Sequence, residues 1–380
     1  MRILFVINNA YTEGNGLSGS CRRTVKLLRD AGEDVRLLSA GGGHGEAPDF
    51  PLPDGRIPVF QPIIRKQGYA FAKSDEAVIR QAVRWADVVH LEEPFGLQIR
   101  VCRIAEEEGR PLTATYHLHP ENLFSSVHLQ WSLWFNQMTL LVWKRQIFDR
   151  CRIVQCPTEN VRKRLESAHC RSELRVISNG MLRDVRPAPA SPVPREDGTF
   201  LIVSTGRYSV EKDQSTLLRA MRYTKYADRI RLVLAGQGPT EKRLRREAAK
   251  LQREGVLKKP VIFGFHSLPE LLALYRQADL YVHCAKVEVE GMSCMEAVQT
   301  GLVPIIAEGK LTATAQFALH PDSLYPAGDA KALAQKIDFW LSDAERRQAE
   351  AARYPALIED YSIDRSIAQL REMFRDALEN

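Results

Sequence analysis

The sequence contains no run of residues long and apolar enough to predict a membrane-spanning helix. The nearest candidate lies between Glu121 and Lys144, where no residue carries a formal charge. That segment is too polar for a hydrocarbon span of about 20 residues, because it includes Asn122, Ser125, Ser126, Gln130, Asn136 and Gln137. Residues 1–7 show no signal-peptide cleavage pattern, so we expect a cytoplasmic protein.

Metal and disulfide patterns are also missing. The seven cysteines form no Cys-x-x-Cys pair and are odd in number, so we interpret them as reduced, mostly buried thiols. No Asp-x-Asp sequence occurs, and we expect a site that needs neither metal nor cofactor. The net charge of +6 is not gathered into a basic stripe with stacking aromatics, which argues against nucleic acid as a partner.

Two series of apolar β-type runs alternate with helix-like segments, and a chain of 380 residues is too long for one ordinary core. This alternation predicts the α/β class, with two doubly wound, Rossmann-like parallel sheets. The predicted strands are 3–7, 35–38, 88–91, 112–116, 153–156 and 176–178, then 200–204, 231–235, 261–263, 280–284 and 303–306. A proline-spaced stretch separates the two series. We therefore predict an N-terminal domain at 1–185, a linker at 186–197, a C-terminal domain at 198–360 and a final helix within 361–380.

The stretch from Glu288 to Glu296 is the strongest functional signal. It joins the predicted strand 280–284 to a helix through a turn that contains Gly291. Backbone N–H groups at such a helix N-terminus can bind an anion, and a carboxylate lies at each end. Met292 and Ser293 begin the helix. A surface turn with two solvated carboxylates is the alternative interpretation.

Other strand ends of the second half carry glycine and cations. Gly206, Arg207 and Lys212 follow the strand 200–204, where the two cations could neutralise two phosphates; an ordinary salt-bridge set with Glu211 is the alternative. Two further turns contain Gly236 and Gly238, and Phe265 and His266.

In the first half, the loop predicted at 8–20 contains Gly16 and Gly19, which could admit a diphosphate or a sugar beneath a helix N-terminus; a mobile loop is the alternative. After the strand 112–116 comes a polar cluster that could orient a sugar hydroxyl. A His-x-His zinc pair lacks further ligands at a familiar spacing, and a plain structural loop is the third interpretation. The members of the cluster are His117, His119, Glu121 and Asn122.

Residues 129–148 form a helix-like segment rich in aromatics. Packing against the sheet is the expected role. The alternative is an interfacial helix, because tryptophans with basic residues beside them are typical of helices that lie on a membrane surface.

The Glu288–Glu296 stretch, with glycine at its fourth position and Glu-Ala at its end, resembles the donor-sugar motif of the family-4 retaining glycosyltransferases with the GT-B fold. The Gly-Arg and Glu-Lys pairs at 206–207 and 211–212 resemble the same family, and the likeness covers nearly the whole chain. It implies two domains that face a central cleft, with the last helix packed on the N-terminal domain. One departure is Glu290, where the family more often has an aromatic or apolar residue.

This resemblance also implies roles for residues. Glu288 would bind hydroxyls of the transferred sugar and Glu296 the ribose, while Arg207 and Lys212 would bind the diphosphate. His117 would lie near the sugar, and Gly16 and Gly19 would close on acceptor and phosphates. The remaining donor-binding residues would be Gly206, Gly236, Gly238, Phe265, His266, Gly291, Met292 and Ser293.

The activity implied is retaining, metal-independent transfer of a hexose from a nucleotide sugar, UDP-linked rather than GDP-linked, to a hydroxyl of a glycan or lipid-linked acceptor. Such an enzyme would serve cell-envelope, polysaccharide or glycolipid synthesis, at the inner face of the plasma membrane if residues 129–148 contact lipid. Two alternatives are a nucleotide-sugar epimerase of the same fold and a non-catalytic nucleotide-sugar-binding subunit.

Overall fold

The computed structural model describes residues 1–12, 15–42, 46–55, 70–124, 132–181, 185 and 198–379. The chain divides into two compact units: unit 1 comprises Met1–Asn179 with Asp364–Asn380, and unit 2 comprises Gly180–Ile363. The boundary after Asn179 lies six residues before the predicted one at 185. The predicted linker, 186–197, lies outside the described residues.

Unit 1 is built on a parallel sheet of seven strands in the order β3-β2-β1-β4-β5-β6-β7. Its strands are β1 Arg2–Asn9, β2 Asp34–Ala40, β3 Phe50–Leu52, β4 Val88–Leu91, β5 Leu112–Thr115, β6 Ile153–Cys156 and β7 Glu173–Val176. Its helices are α1 Gly16–Asp30, α2 Glu76–Trp85, α3 Gly96–Glu107, α4 Pro120–Phe124, α5 Leu133–Gln146 and α6 Glu159–Ser167, with a 3-10 turn at Phe148–Arg150. Residues 3–7 of β1 are fully buried, as expected for a central parallel strand with both faces covered.

Unit 2 repeats this architecture with six parallel strands in the order β10-β9-β8-β11-β12-β13. The strands are β8 Phe200–Thr205, β9 Ile230–Ala235, β10 Ile262–Gly264, β11 Leu280–His283, β12 Pro304–Glu308 and β13 Leu324–Pro326. The helices are α7 Gln214–Ala220, α8 Glu241–Arg253, α9 Leu268–Gln277, α10 Met292–Gln299, α11 Ala330–Leu341, α12 Ala344–Ala351 and α13 Tyr354–Asp360. Two 3-10 helices, Ala313–Phe317 and Pro321–Ser323, lie before β13.

Side-chain caps explain where several helices begin. The Asp75 carboxylate accepts hydrogen bonds from the N–H groups of Ala77 and Val78 at the start of α2, and Asp329 caps α11 in the same way. Ser267 and Glu270 form a capping box at α9. Each cap satisfies N–H groups that have no partner within the helix.

The last helix, α14 Ile363–Glu379, packs on unit 1 from Asp364 onward. The Phe374 ring lies 6.0 Å from that of Phe5 on β1. Arg371 Nε donates to Glu33 at 2.8 Å, and Arg152 Nη1 donates to the carbonyl of Ala377 at 2.8 Å. These contacts tie the C-terminal half of the helix to the unit built from the N-terminal part of the chain.

The structure corrects three local expectations. The strand predicted at 176–178 is β7, Glu173–Val176, and the short edge strands β3 and β13 were not predicted. Gly16 and Gly19 belong to the first turns of α1, so the predicted loop at 8–20 ends earlier than expected. Asn15 accepts from the Leu17 N–H at 2.9 Å, and this cap starts the helix before the glycine-rich stretch is over.

Candidate functional site

The strand order of unit 2 reverses direction between β8 and β11, which are the central pair of its sheet. Ligands of doubly wound sheets bind outside the carboxyl ends of the strands at such a switch point. The segment after β8 carries Arg207 and Lys212, and the segment after β11 carries Glu288. The topology therefore brings together residues that are 76 positions apart in the sequence.

Lys212 and Glu288 form an ion pair through Lys212 Nζ and Glu288 Oε2. His283, the last residue of β11, lies with Nε2 3.2 Å from the same carboxylate oxygen. Burial acts to raise the pKa of Glu288, but the Lys212 charge and the His283 contact outweigh it and hold this pKa well below its ordinary value. Glu288 is thus an ionised carboxylate whose Oε2 is oriented from two sides.

A second cation lies on the same segment. Arg207 Nη2 donates to Glu211 Oε1 at 3.0 Å, and the Ser209 hydroxyl donates to the same oxygen at 2.6 Å. The Arg207 side chain is 28% exposed and that of Lys212 is 21% exposed, so both cations are accessible to a ligand. Of the salt-bridge set with Glu211 that was the alternative interpretation, the Arg207–Glu211 pair is present, whereas Lys212 pairs with Glu288.

Asp213 fixes the direction of the chain immediately after Lys212. It has a left-handed backbone with φ of +44°, a conformation that costs energy for any residue with a Cβ. Asp213 Oδ2 accepts from the Thr216 hydroxyl at 2.6 Å and lies 2.8 Å from Lys286 Nζ. These contacts hold the turn that places Lys212 beside Glu288.

Gly236 and Gly238 allow the turn after β9 to touch the turn after β8. A Cβ at Gly236 would lie 2.1 Å from the carbonyl oxygen of Gly206, and one at Gly238 would lie 2.5 Å from that of Tyr208. Both distances are shorter than a Cβ tolerates, so any larger residue would separate the two turns. On the next turn, Phe265 is 61% exposed and His266 is half-buried.

Gly291 is the N-cap of α10 and has φ of +92°, which favours glycine. Met292 and Ser293 form the first turn and are half-buried. Glu296 follows on the same helix and is also half-buried. Glu290, the departure from the family motif noted above, is only 2% exposed, so its carboxylate lies in the interior of unit 2.

His117 of unit 1 follows β5 and contacts a carboxylate that the sequence analysis missed. His117 Nε2 lies 2.7 Å from Glu92 Oε2, and His90 Nε2 lies 3.6 Å from Glu92 Oε1. Burial lowers the pKa of His90 to about 4. Burial acts to raise the pKa of Glu92, but His117 outweighs it and keeps this pKa low. The signal that could have found Glu92 is the Glu92-Glu93 pair directly after a buried strand.

The other members of the His117 cluster serve the fold of unit 1. His119 is fully buried and Glu121 is 6% exposed; Arg164 contacts both, at 3.0 Å from His119 Nδ1 and 2.9 Å from Glu121 Oε1. Asn122 Oδ1 accepts from the His119 N–H at 3.1 Å. His119 and Glu121 are thus held within unit 1 and Asn122 is half-buried; that these three side chains orient a sugar hydroxyl stays a prediction.

Helix α5 differs from the expectation that it packs against the sheet. Leu140 and Trp143 are buried, but six apolar side chains are exposed by 39–77%, namely Leu133, Trp134, Phe135, Met138, Leu141 and Val142. Residues 129–131 of the predicted segment lie outside the described part of the chain. Across the described ranges, no helix combines the length and the apolarity that a membrane crossing requires.

Two family models match the chain. The one described as Glycosyltransferase Family 4 matches residues 14–182, and the one described as Glycosyl transferases group 1 matches residues 190–354. Each covers most of one of the two predicted domains, in the same order as they occur along the sequence.

Two relatives and one solved structure illustrate the similarity. Alpha-monoglucosyldiacylglycerol synthase of Streptococcus pneumoniae is 28% identical over 59% of this chain and 52% of that enzyme, so the chain spans about half of that relative's length. Phosphatidyl-myo-inositol mannosyltransferase of Mycolicibacterium smegmatis is 25% identical over 98% of this chain and 93% of that enzyme. The crystal structure of Anabaena HepE in complex with UDP matches with a TM-score of 0.74 and 19% identity, over 99% of this chain and 100% of that one. At this identity the match concerns the fold alone.

Proposed function

Because the chain belongs to the family-4 glycosyltransferases with the GT-B fold, we propose that unit 2 binds a nucleotide sugar and that the enzyme transfers its hexose with retained anomeric configuration. The observation that carries this proposal is the meeting of Lys212 and Glu288 at the switch point of the sheet, beside the half-buried first turn of α10. Cations and a helix N-terminus suit a diphosphate, while an ionised carboxylate suits sugar hydroxyls.

The chemical contribution of these groups is electrostatic. Departure of the nucleoside diphosphate builds negative charge on the leaving oxygen, and preorganised positive groups stabilise that charge most where it develops. Arg207, Lys212 and the N–H groups of Met292 and Ser293 supply this stabilisation. In the front-face route that we propose, the leaving phosphate accepts the proton of the attacking hydroxyl, so neither a protein nucleophile nor a metal is required.

For the acceptor, we propose a lipid or lipid-linked hydroxyl. The two relatives described above are named for glycosylation of diacylglycerol and phosphatidylinositol lipids. Exposed apolar residues on α5, with Trp134 and Phe135 among them, suit a helix that lies at the headgroup level of a bilayer. We place the enzyme at the inner face of the plasma membrane, where a cytoplasmic nucleotide sugar and a membrane acceptor meet.

The test is nucleotide release from UDP- and GDP-sugars, with and without liposomes that contain diacylglycerol or phosphatidylinositol. We expect nucleotide release from the UDP-sugar only when the lipid is present. The product should be an α-linked glycolipid, and a chelator should leave the activity unchanged. Release of an epimerised nucleotide sugar would identify an epimerase instead. Binding of nucleotide without turnover under every condition would indicate a non-catalytic subunit.

A further inference from the structure

Lys286 lies in the segment after β11, two residues before Glu288, and it contacts the segment after β8 that carries Lys212. Its backbone N–H donates to the carbonyl of Glu211 at 2.8 Å, and its Nζ lies 2.8 Å from Asp213 Oδ2. Both residues that flank Lys212 in the sequence therefore contact Lys286. The Lys212–Glu288 ion pair joins the same two segments two residues further along.

Asp213 makes its contact with Lys286 from a strained backbone. Among the described residues, Asp213 and His169 are the two non-glycine residues with a positive φ. The Asp213 carboxylate is directed at Lys286 Nζ and at the Thr216 hydroxyl, which donates to it at 2.6 Å. Strain of this kind persists where the surrounding contacts determine the conformation, and it is concentrated at functional sites.

The direct link between the two segments is the one that a ligand would break. This step rests on the proposed function, in which the diphosphate binds Lys212 and the sugar hydroxyls bind Glu288. The two side chains then hold different parts of one molecule, so their ion pair no longer sets the distance between the segments. Asp213 is only 6% exposed. Its carboxylate is therefore not accessible to the ligand, and its pair with Lys286 stays intact.

We propose that Asp213 and Lys286 are positioning residues that hold Lys212 and Glu288 at a fixed separation while the nucleotide sugar is bound. Lys212 then stabilises the leaving diphosphate, and Glu288 holds the hexose in line with it. A shift between the two segments misplaces the sugar relative to that charge, and a misplacement of about 1 Å can lower a rate by roughly 10²-fold. Because Asp213 and Lys286 act through other residues, their loss lowers turnover rather than donor affinity.

The experiment measures kcat and donor KM by nucleotide release, with the nucleotide sugar and lipid that wild type turns over, and the Kd of UDP and GDP by calorimetry. We expect Lys286→Met to lower kcat by roughly 10- to 10²-fold and to leave KM and Kd unchanged. The matched control is Lys336→Met, whose kcat should equal that of wild type. Lys336 is also a half-exposed lysine of unit 2, with its Nζ 2.7 Å from Asp322 Oδ1.

Asp213→Asn removes the same ion pair from the other side, and it tests the proposal even if Lys286→Met does not fold. Asparagine also tolerates the left-handed backbone and can accept from the Thr216 hydroxyl, but it carries no charge. We expect it to lower kcat as Lys286→Met does. In the double variant no buried charge is left without its partner, so the stability lost in Lys286→Met should return. Its kcat should stay as low as in either single variant, because both changes remove one and the same contact.

Three results would overturn this inference alone, because wild type turns over in each of them. The first is recovery of kcat together with stability in the double variant, as a purely structural role requires. The second is a kcat of Lys286→Met equal to that of Lys336→Met. The third is a weaker nucleotide Kd in Lys286→Met, which would place Lys286 on the ligand. Wild-type protein that releases no nucleotide under any condition would overturn the proposed function and the inference with it.

Discussion

The replacement of Gly291 by alanine tests how the start of α10 is built. A side chain at φ of +92° costs about 1–2 kcal/mol for a residue with a Cβ. The new Cβ would also lie 2.6 Å from Thr314 Oγ1 and 2.9 Å from Thr314 Cγ2, and such overpacking costs about 1–3 kcal/mol. We therefore expect Gly291→Ala to lower the free energy of unfolding by roughly 2–5 kcal/mol.

The matched control is Gly255→Ala. Gly255 also has a positive φ, of +72°, but the nearest atom to a new Cβ is the flexible end of Lys258 at 3.8 Å. Gly255→Ala should therefore lower the free energy of unfolding by the backbone cost alone, about 1–2 kcal/mol, because the new Cβ meets no clash. Urea unfolding followed by circular dichroism measures the free energy of unfolding of both variants. In a UDP titration, Gly291→Ala should bind more weakly than wild type and Gly255→Ala should not, because Gly291, unlike Gly255, lies at the start of the proposed phosphate site.

Thr314→Ala in the Gly291→Ala background separates the two costs. It removes both clashing atoms and leaves only the Thr314 Cβ, at 3.2 Å. Thr314 Oγ1 has no hydrogen-bond partner among the described residues, so the change breaks no hydrogen bond. We expect the double variant to regain most of the unfolding free energy lost to the clash with Thr314. It should regain none of the free energy lost to the positive φ at residue 291. Equal losses in Gly291→Ala and Gly255→Ala, with no recovery in the double variant, would refute the steric argument.

Three other predictions concern the charges and the exposed helix. Lys212→Ala and Arg207→Ala should each lower turnover by about 10²-fold or more, as loss of a preorganised charge does, whereas Lys250→Ala on the exposed side of α8 should leave it unchanged in the same nucleotide-release assay. Folding lowers the pKa of Glu288 from 4.5, so the ionised carboxylate stabilises the folded protein above pH 4.5. This stabilisation is lost as the pH falls from 4.5 through the lower pKa of the folded state. The difference in unfolding free energy between wild type and Glu288→Gln should therefore shrink as the pH is lowered through that range. Trp134→Ser with Phe135→Ser should abolish flotation with anionic liposomes while leaving the melting temperature unchanged, because both side chains are exposed; flotation equal to wild type would exclude α5 as the membrane contact.

Much of the fold could be predicted from the sequence because central parallel strands are apolar on both faces. The strand centred on Val203 and the one centred on Val282 are of this kind, and their ends locate the switch point. The edge strands are different. β7 is Glu-Leu-Arg-Val with a half-exposed pattern, and β3 and β13 are three residues long and contain Pro51 and Pro326. Proline and polar residues are tolerated at sheet edges, so these strands give no apolar signal.

The site could be predicted only in part, for a related reason. Lys212 and Glu288 lie in segments that follow a strand and contain a glycine, Gly206 and Gly291 respectively, and such local sequence indicates a ligand site. Glu92 follows a buried strand as part of a Glu-Glu pair, a signal that was overlooked. His283 ends an apolar strand, and nothing local distinguishes a histidine that packs in the core from one that contacts a carboxylate. His119 is the opposite case, because a polar residue of a predicted loop is fully buried. Contacts between residues far apart in sequence decide these cases.

The ligand-free arrangement of charges suits an exchange of partners. Arg207 and Lys212 each hold a carboxylate, and each of these carboxylates has a second partner in unit 2. Glu211 Oε1 also accepts from the Ser209 hydroxyl at 2.6 Å, and Glu288 Oε2 also contacts His283. If a diphosphate takes both cations as we propose, each carboxylate still keeps one polar contact, which reduces the penalty of leaving a buried charge unpaired. A site in which the carboxylates depended on the cations alone would leave both carboxylates without a polar contact when it bound the same ligand, and its affinity for the diphosphate would be correspondingly lower.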